Sequence, residues 1–250
     1  MRWLRSLLFA IFLVVTVIPY AIVCVLWLPL PLRWRYRLTI GWPRLMIWSA
    51  RWIVGIRWRI KGWENLPDQP AILLPKHQSA WETMFLPAWM PREVCYVYKR
   101  ELNWVPFFGW GLAGLRMIAI DRKKGSDAFE QVVAQGRERL ASGRWMVMFP
   151  EGTRIAPGKK GKYKSGGARL AARTGALVVP IAHNAGECWP RKAFVKRPGL
   201  ITVSIGPPID PQGLTADEIN RRAEDWIEAE MRQLNPERYP DTRGAERAAG

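Results

Sequence analysis

The chain has 250 residues, which is enough for one sizeable α/β domain with an additional segment and does not require two full domains. With 49% hydrophobic and 24% charged residues, the composition excludes an intrinsically disordered chain. The 38 Lys and Arg residues outnumber the 21 Asp and Glu residues. The resulting net charge of +17 suits a partner rich in phosphate, which is either nucleic acid or anionic lipid.

The N-terminal segment favours anionic lipid over nucleic acid as the partner. Residues 7–32 are apolar and contain no charged side chain, and this run is longer than the ~20 residues that a helix needs to span a bilayer. A cleaved signal peptide is the main alternative, but its apolar core is roughly 7–15 residues long and ends in small residues. This run ends instead in LPLPL. Pro19 leaves open whether the segment spans the membrane or dips into one leaflet, and arginines on both flanks leave its orientation open.

Residues 33–63 alternate Arg and Trp with aliphatic residues, and the whole chain contains 15 Trp. Such a segment suits the membrane interface, where rings enter the apolar layer and guanidinium groups contact phosphate. The alternative is a surface helix of a soluble domain. We therefore divide the chain into a membrane anchor and interfacial segment at residues 1–58, a folded domain at residues 59–240 and a disordered tail at residues 241–250.

From about Trp52 onwards, short apolar runs alternate with helical patterns. Seven segments rich in Val, Ile and aromatic residues are predicted strands, at residues 53–62, 71–76, 93–100, 117–122, 145–152, 177–183 and 200–206. Helices are predicted to begin at Ser79, to cover residues 126–140 and 165–174, and to run from a capping box at Thr215 to a stop at Asn235 and Pro236. This alternation predicts an α/β sheet with helices on its faces.

One of the two histidines lies in the stretch PKHQSAWETMF, residues 75–85. Ser79 and Glu82 fit a capping box, in which Glu82 would only bond the first amide of a helix. His77 would then lie in the loop after a strand, at the end of the sheet where α/β proteins place their clefts. If the helix begins only at Ser79, the loop can fold the imidazole back onto Glu82. The second ring nitrogen would then remain available as a base.

A second stretch, FPEGTR at residues 149–154, follows a predicted strand and precedes four lysines up to Lys164. A Gly-rich helix start next to guanidinium and ammonium groups suits a phosphate or an oxyanion. On its own, however, this stretch favours the simpler interpretation of a solvated turn followed by a basic loop.

Four stretches together resemble the motifs of the glycerolipid acyltransferases, in the order in which that family has them. HQSAWE resembles its H-x-x-x-x-D signature, GLRMIAIDR at residues 114–122 its second motif, FPEGTR its third and LVVPIAH its fourth. The resemblance covers roughly residues 60–210 and is greatest to the bacterial branch that acylates 1-acylglycerol 3-phosphate. Two positions depart from the family pattern, because Glu82 stands where most members have Asp and Lys76 stands where Asn is frequent.

The resemblance implies a mixed sheet flanked by helices, and it implies an enzyme. An acyl group would pass from a thioester of coenzyme A or of acyl carrier protein to the sn-2 hydroxyl of lysophosphatidic acid, which gives phosphatidic acid. His77 would act as general base, and Glu82 would hold its imidazole. Amide donors near Ser79, where the helix is predicted to begin, would stabilise the oxyanion.

The resemblance also implies where the substrates and the membrane lie. The acceptor phosphate would be bound by Arg122 and Arg154, in a pocket shaped by Glu151, Gly152 and Thr153, and we add Lys164 because of its charge and position. No metal or other cofactor is implied beyond the acyl thioester. Since the acceptor is a lipid and the donors are cytosolic, we expect the protein at the bacterial inner membrane, with its site facing the cytoplasm.

The remaining candidates are expected to be structural. The second histidine, His183, lies in the fourth motif, and Cys24, Cys95 and Cys188 lie too far apart to suggest a zinc site or a disulfide framework. Nucleic acid is not expected as a partner, because the sequence contains no recognisable binding motif for it. Two alternatives remain open: an acyltransferase for another acceptor, such as lyso-ornithine lipid, another lysophospholipid or glycerol 3-phosphate, and a non-enzymatic basic protein that binds anionic lipid.

Overall fold

The computed structural model describes residues 1–106, 108–121, 123 and 125–239, and the predicted tail at residues 241–250 therefore lies outside the described residues. The strands are β1 (Ile56–Lys61), β2 (Ile72–Pro75), β3 (Val94–Lys99), β4 (Ile118–Ile120), β5 (Trp145–Val147), β6 (Val178–His183) and β7 (Gly199–Ile205). The helices are α1 (Arg2–Leu26), α2 (Leu32–Thr39), α3 (Gly41–Ser49), α4 (Trp81–Trp89), α5 (Phe108–Gly114), α6 (Gly125–Ala141), α7 (Gly166–Thr174), α8 (Ala185–Cys188) and α9 (Ala216–Leu234).

Among the described residues, the strands form one seven-stranded sheet in the order β1-β7-β6-β2-β5-β3-β4. Neighbouring strands are parallel except β6 and β7, which are antiparallel, so the mixed α/β sheet flanked by helices is confirmed. Every residue of β2, β5 and β6 is buried, which is what near-continuous apolar strands require when both faces of a sheet are covered.

Six of the seven predicted strand segments contain an observed strand, and β7 begins one residue before its predicted segment at residues 200–206, whereas β5 is shorter than predicted. It ends at Val147, where the pairing of Leu73 with Val147 is the last register pair between β2 and β5. The chain then turns through Gly152, whose φ of 64° lies in the left-handed region that favours glycine. The FPEGTR stretch is therefore a loop rather than the end of a strand.

Helix α9 begins and ends where its sequence signals predict. The Thr215 hydroxyl accepts a hydrogen bond from the Glu218 amide at 3.3 Å, and the Glu218 carboxylate accepts one from the Thr215 amide at 2.8 Å, which completes the capping box. The helix packs against β6 and buries one face that includes Ile219, Ala223 and Ile227. This face holds α9 close to the strand that ends at His183.

Helix α1 is the one helix of the described residues that is long and apolar enough to cross a membrane by length and composition. Its most apolar window has a mean hydropathy of 2.8 and is only 6% buried, and the helix continues through Pro19. It ends at Leu26, before the predicted apolar run does.

The domain boundary predicted between residues 58 and 59 falls inside β1, so the N-terminal segment runs directly into the sheet.

Arg and Trp side chains contact each other in the segment that follows α1. After α3, a π-helical turn at Ala50–Val54 ends at Gly55, which has a φ of 91°. The Arg51 guanidinium lies 5.4, 5.8 and 5.5 Å from the ring centroids of Trp48, Trp52 and Trp58. Trp48 and Trp52 are both exposed, as expected of a segment that meets the headgroup layer of a bilayer.

Candidate active site

The chain leaves the central strands β2, β5 and β6 at one edge of the sheet, because these three strands are parallel. The segment after β2 contains His77, the segment after β5 contains the FPEGTR loop, and β6 ends at His183. In open α/β sheets, the crevice beyond the carboxyl ends of the strands is where ligands bind. The topology thus gathers both histidines and the FPEGTR loop in such a crevice.

The imidazole of His77 is held by Glu82. Its Nδ1 atom lies 2.9 Å from Oε1 of the carboxylate, and the same oxygen accepts hydrogen bonds from the amides of Gln78 at 3.0 Å and Ser79 at 2.8 Å. The ring also stacks on Phe149, with centroids 3.9 Å apart and 21° between the planes. Since Nδ1 is engaged, Nε2 is the ring atom at which a substrate can exchange a proton.

Glu82 is buried, and its surroundings favour the ionised form. Burial raises the pKa of this carboxyl, but His183, His77 and the Ser79 amide together lower the pKa below its ordinary value. A carboxylate that accepts three hydrogen bonds on one oxygen fixes both the orientation of the imidazole and the tautomer with a proton on Nδ1. Glu82 can therefore stabilise a positive charge that develops on His77.

His183 stabilises the loop that contains His77 and does not react with a substrate. It is buried, its Nε2 atom lies 2.7 Å from the Lys76 carbonyl, and its Nδ1 atom accepts a bond from the Ala185 amide at 3.3 Å. Burial lowers the pKa of His183, which keeps the ring neutral at neutral pH. These contacts agree with the structural role predicted for this residue.

The predicted start of the helix at Ser79 is wrong by two residues, because α4 begins at Trp81 with Ala80 as its N-cap. Glu82 does bond the Ser79 amide, but the Ser79 hydroxyl accepts from the Trp81 amide at 3.1 Å instead of from the Glu82 amide. The amides of Gln78, Ser79 and Trp81 are thus all engaged within the loop. These three amides are therefore not free donors, and the expectation that donors near Ser79 stabilise an oxyanion stays a prediction.

Glu151 of the FPEGTR loop is also placed differently from the sequence prediction. Its carboxylate is buried, lies 2.8 Å from Nζ of Lys76 and accepts a hydrogen bond from the His77 amide at 3.0 Å. The amide of Ile155, the residue that follows FPEGTR, donates to the His77 carbonyl at 2.8 Å, so this part of the chain bonds both backbone groups of His77. Glu151 positions the histidine loop and does not shape a pocket for the acceptor.

A cavity of about 660 Å³ opens beside His77, within the size range of pockets that hold a small ligand. Apolar side chains of α1, α4, β3 and α5 form most of its wall, among them Val17, Met84, Val97 and Leu112. Helix α1, which the sequence analysis treats only as an anchor, therefore contributes to the candidate site.

Two loops contribute polar and cationic groups to the lining of the cavity. Gly152, Thr153 and Arg154 of the FPEGTR loop line it, as the sequence predicts, together with Arg191 and Lys192 of the loop after α8. One Nη atom of Arg191 donates to the Arg154 carbonyl at 2.6 Å, and the Nε atom of Arg154 is buried without a hydrogen-bond partner among the described residues. A buried guanidinium donor without a protein partner is suited to bind an anionic ligand.

Two further cations, Lys164 and Arg122, were predicted to bind the acceptor phosphate, and the structure describes only Lys164. Lys164 is exposed, and its side chain covers Gly152, since a Cβ atom built on that glycine would lie 3.2 Å from the Lys164 Nζ. Arg122 lies outside the described residues. The sequence analysis missed Arg191 and Lys192, although the basic pair after WP in CWPRKAF could have indicated them.

No group of three or more His, Cys, Asp or Glu side chains is placed to hold a metal ion in the part of the chain that the structure describes. The three cysteines are free thiols, of which Cys95 and Cys188 are buried and Cys24 lines the cavity. Burial raises the pKa of the Cys95 and Cys188 thiols, so neither of them is activated as a nucleophile.

A partly exposed histidine held by a buried glutamate, beside an apolar cavity with a cationic end, defines an enzyme site for an amphipathic, anionic substrate. Comparison with known proteins agrees. A family model described as Acyltransferase matches residues 57–184. The 1-acyl-sn-glycerol-3-phosphate acyltransferase of Pseudomonas aeruginosa is 46% identical over 211 residues, which are 83% of this chain and 82% of that protein. The human 1-acyl-sn-glycerol-3-phosphate acyltransferase alpha is 29% identical over 205 residues, which are 80% of this chain and 71% of that protein.

A solved structure gives the same fold. The crystal structure of the 1-acyl-sn-glycerophosphate acyltransferase from Thermotoga maritima matches with a TM-score of 0.77 and 21% sequence identity, over 94% of this chain and 98% of that chain. From the match to the family model and the identity to the Pseudomonas enzyme, the chain belongs to the acyltransferase family. The family model begins after the N-terminal helices and ends before α9.

Proposed function

We propose that this protein transfers an acyl group from an acyl thioester to the sn-2 hydroxyl of 1-acylglycerol 3-phosphate, which is lysophosphatidic acid, and so forms phosphatidic acid. The observation that carries the proposal is the position of His77, which is held by Glu82 and opens onto a cavity with an apolar wall and a cationic end. The names of the Pseudomonas and human relatives support this acceptor.

The reaction uses His77 first as a base and then as an acid. Nε2 of His77 removes the proton of the acceptor hydroxyl while the hydroxyl oxygen attacks the carbonyl carbon of the thioester. The tetrahedral intermediate breaks its C–S bond, and the thiolate that leaves takes the proton from the imidazolium, which gives the ester and a free thiol. Glu82 lies 2.9 Å from Nδ1 and stabilises the imidazolium between these steps. General-base assistance of this kind contributes ~10²–10⁴ to the rate.

The acceptor phosphate binds at the cationic end of the cavity. Arg154 supplies the buried Nε donor, and Arg191 is fixed beside it by its bond to the Arg154 carbonyl. Gly152 and Thr153 line the adjoining wall. A phosphomonoester carries more negative charge than a phosphodiester, so several guanidinium groups favour lysophosphatidic acid over lysophospholipids with larger headgroups.

Arg122 and Lys164 complete this proposal for the phosphate. Arg122 joins the site through its place in the second motif of the family pattern. Lys164 adds positive charge from the outside of the loop, next to Gly152.

The acyl chain of the donor occupies the apolar part of the cavity. Val17 and Ala21 of α1 and Leu112 of α5 line this part, so the chain would lie between the N-terminal helix and the domain. Burial of each methylene group contributes about 0.8 kcal/mol, which makes the cavity wall the main source of affinity for a long acyl chain.

We further propose that the protein acts at the cytoplasmic face of the bacterial inner membrane. The exposed apolar side chains of α1 and the Arg–Trp cluster around Arg51 support residence in a bilayer. Both possible acyl donors, the thioesters of coenzyme A and of acyl carrier protein, are found on that side of the membrane. Accessibility of single cysteines introduced near His77, labelled in intact cells and in inverted vesicles, tests which side the site faces.

The proposed acceptor is tested with purified full-length protein in detergent–lipid micelles. The protein receives one acyl-CoA and, in parallel, lysophosphatidic acid, lysophosphatidylcholine, lyso-ornithine lipid or glycerol 3-phosphate, and mass spectrometry follows the products. We expect kcat/KM for lysophosphatidic acid to exceed that for every other acceptor. A higher kcat/KM for one of the other acceptors would replace our assignment with that acceptor, and transfer to none of them would contradict an acyltransferase role for the site.

A further inference from the structure

The C-terminal part of the chain bonds both residues that flank His77. Glu228 of α9 accepts a hydrogen bond from Nζ of Lys76 at 2.6 Å, and Tyr239, in the turn after α9, accepts one from Nε2 of Gln78 at 3.0 Å. The side chains of Lys76 and Gln78 are both fully buried. The residues on both sides of His77, the candidate base, are therefore held by contacts with the segment that runs from α9 to Tyr239.

The contact on the Lys76 side is a buried network of charges. The Lys76 ammonium lies 2.6 Å from Glu228 and 2.8 Å from Glu151, and the Tyr163 hydroxyl donates to the same Glu228 oxygen at 2.8 Å. Burial lowers the pKa of Lys76, but the two carboxylates outweigh this and raise it, so the ammonium stays charged. Glu151 in turn accepts a hydrogen bond from the His77 amide, so Glu228 is linked to the backbone of His77 through Lys76 and Glu151.

The contact on the Gln78 side fixes the other neighbour of His77. The Gln78 amide group donates to Tyr239, and its Oε1 atom accepts from the Gly186 amide at 3.2 Å. Both polar atoms of this buried side chain are thus satisfied, which favours a single conformation of the loop. Tyr239 is itself anchored in a small apolar cluster with Tyr163, Ile227 and Met231.

Neither Glu228 nor Tyr239 lies within the region of the chain that matches the family model, which ends at residue 184. Lys76, the partner of Glu228 in the loop, is one of the two positions where the sequence departs from the family pattern. A buried lysine without compensating charge is costly, whereas a lysine between two carboxylates is balanced. The carboxylate of Glu228 on α9 thus accounts for why a lysine is tolerated at position 76.

We propose that Glu228 and Tyr239 are positioning residues for His77, and that the segment from α9 to Tyr239 is a working part of the active site. Through Lys76 and Gln78, this segment fixes the loop so that Nε2 of His77 remains in line with the acceptor hydroxyl and the thioester. A displacement of about 1 Å at a reacting group lowers the rate by ~10²-fold. The inference rests on the proposed acyl transfer, since it assigns the segment a role in that reaction.

Two isosteric substitutions test the proposal with a matched control on the same helix. Glu228→Gln removes the charge that holds Lys76, and Tyr239→Phe removes only the hydroxyl that holds Gln78. Glu230→Gln is the control, because the Glu230 carboxylate accepts from the Ser204 hydroxyl at 2.8 Å and makes this contact on β7. We expect kcat to fall at least about tenfold in Glu228→Gln and severalfold in Tyr239→Phe, with KM for both substrates changed by less than about threefold.

Hydrogen exchange gives a second readout that is independent of activity. Peptides that cover residues 76–80 are expected to exchange faster in Glu228→Gln and Tyr239→Phe than in the wild type, while Glu230→Gln leaves them unchanged. A purely stabilising role for α9 predicts the opposite pattern: the melting temperature falls in all three variants, and the loop peptides and kcat change no more than in Glu230→Gln. That pattern overturns the proposal.

A pair of substitutions at Lys76 tests the charge network directly. Lys76→Met leaves two buried carboxylates without their cation, and we expect a large loss of kcat or of soluble protein. Lys76→Met combined with Glu228→Gln removes one of these charges and is expected to recover at least about tenfold of the lost kcat, or soluble protein if the single variant fails to fold. A double variant that is no better than Lys76→Met contradicts the coupling.

These assays separate the inference from the proposed function. If wild-type protein and Glu230→Gln acylate a different lyso-lipid best, the acceptor assignment fails, and the comparison of variants is made with that lipid. If the wild type acylates lysophosphatidic acid and Glu228→Gln and Tyr239→Phe match it in kcat and in loop exchange, the positioning role fails and the proposed function stands.

Discussion

His77 and Glu82 touch through Nδ1 and Oε1 at 2.9 Å although five positions separate them along the chain. On a continuous helix, positions five apart differ by roughly 140° in direction, and two such side chains would not meet. They meet because α4 begins only at Trp81, so His77 belongs to a loop that folds back over the first turn. The late start of the helix is what allows Glu82 to act on the imidazole.

Glu82→Gln is expected to lower kcat by ~10²–10⁴. Glutamine keeps the size of the side chain but removes the negative charge that stabilises the imidazolium. Glu82→Asp retains the charge, so we expect it to keep more activity than Glu82→Gln does. Steady-state kinetics of phosphatidic acid formation measures both effects, and circular dichroism checks that the helix content is unchanged.

Ser79→Ala is the control for the helix-start role of this loop. It removes the bond from the Trp81 amide at 3.1 Å and leaves the contact between His77 and Glu82 in place. We expect a loss of about 1 kcal/mol in the free energy of unfolding with little change in kcat. If Glu82→Gln behaves like Ser79→Ala, with lower stability and an intact rate, then Glu82 serves only to begin the helix.

Arg191→Ala is expected to raise KM for lysophosphatidic acid about tenfold, because it removes a guanidinium that bonds the Arg154 carbonyl at the cationic end of the cavity. Neither kcat nor KM for the acyl thioester should change much. Arg197→Ala is the matched control, since Arg197 is also exposed and follows in the same loop without lining the cavity. A rise in KM for the thioester instead would place the phosphate groups of the donor at Arg191.

Gly111→Leu tests where the acyl chain lies. Gly111 lines the cavity, and a Cβ atom built there meets no heavy atom within 4 Å, so a larger side chain can enter the cavity without a backbone clash. We expect kcat/KM for a long-chain thioester to fall about tenfold while that for a short chain is retained. Ala113→Leu adds bulk to an exposed position of the same helix and should change neither value. Equal losses for long and short chains would contradict binding of the acyl chain in this cavity.

His183 makes stability depend on pH in a defined direction. Burial lowers the pKa of His183 in the folded state, whereas an unfolded chain titrates near about 6.5. Between these two values the unfolded state binds more protons, so stability rises with pH through this window and is lost as pH falls below about 6.5, by at most roughly 1.4 kcal/mol per pH unit.

The corresponding measurement compares thermal unfolding of the wild type and His183→Gln between pH 5 and pH 8, a window around the ordinary pKa of histidine of about 6.5. We expect the variant to be less stable at pH 8 but to lose less stability on acidification. Identical slopes in the two proteins would mean that His183 does not remain neutral in the folded state.

Much of the fold follows from local patterns in the sequence. The central strands β2, β5 and β6 are fully buried and read as continuous apolar runs, and the capping box at Thr215 marks the start of α9 correctly. The FPEGTR loop and His77 come together because parallel strands end at one edge of a sheet. The strands and the helix start depend on burial and on hydrogen bonds between residues that are close in sequence, and the meeting of the two loops follows from the parallel order of the strands.

The parts that were missed depend on contacts that no local pattern encodes. Glu228 lies 152 positions from Lys76, and Tyr239 lies 161 positions from Gln78, so neither pairing leaves a periodic signal. Glu151 was predicted as a pocket residue because it belongs to the third motif of the family pattern, yet its carboxylate is buried 2.8 Å from Nζ of Lys76. The helix start at Ser79 was wrong because the Ser79 hydroxyl accepts from the Trp81 amide instead of the Glu82 amide, so only half of the capping box forms and α4 begins at Trp81.

The central claim is that His77 is the base that activates the hydroxyl of lysophosphatidic acid. The most direct test is the rate of phosphatidic acid formation by purified wild-type protein and by His77→Ala, in the same micelles and with the same acyl-CoA, followed by mass spectrometry. We predict that turnover falls by at least ~10²-fold in His77→Ala while the melting temperature and the binding to lipid vesicles are retained. Turnover that persists at the wild-type rate in a folded, membrane-bound His77→Ala would contradict the account.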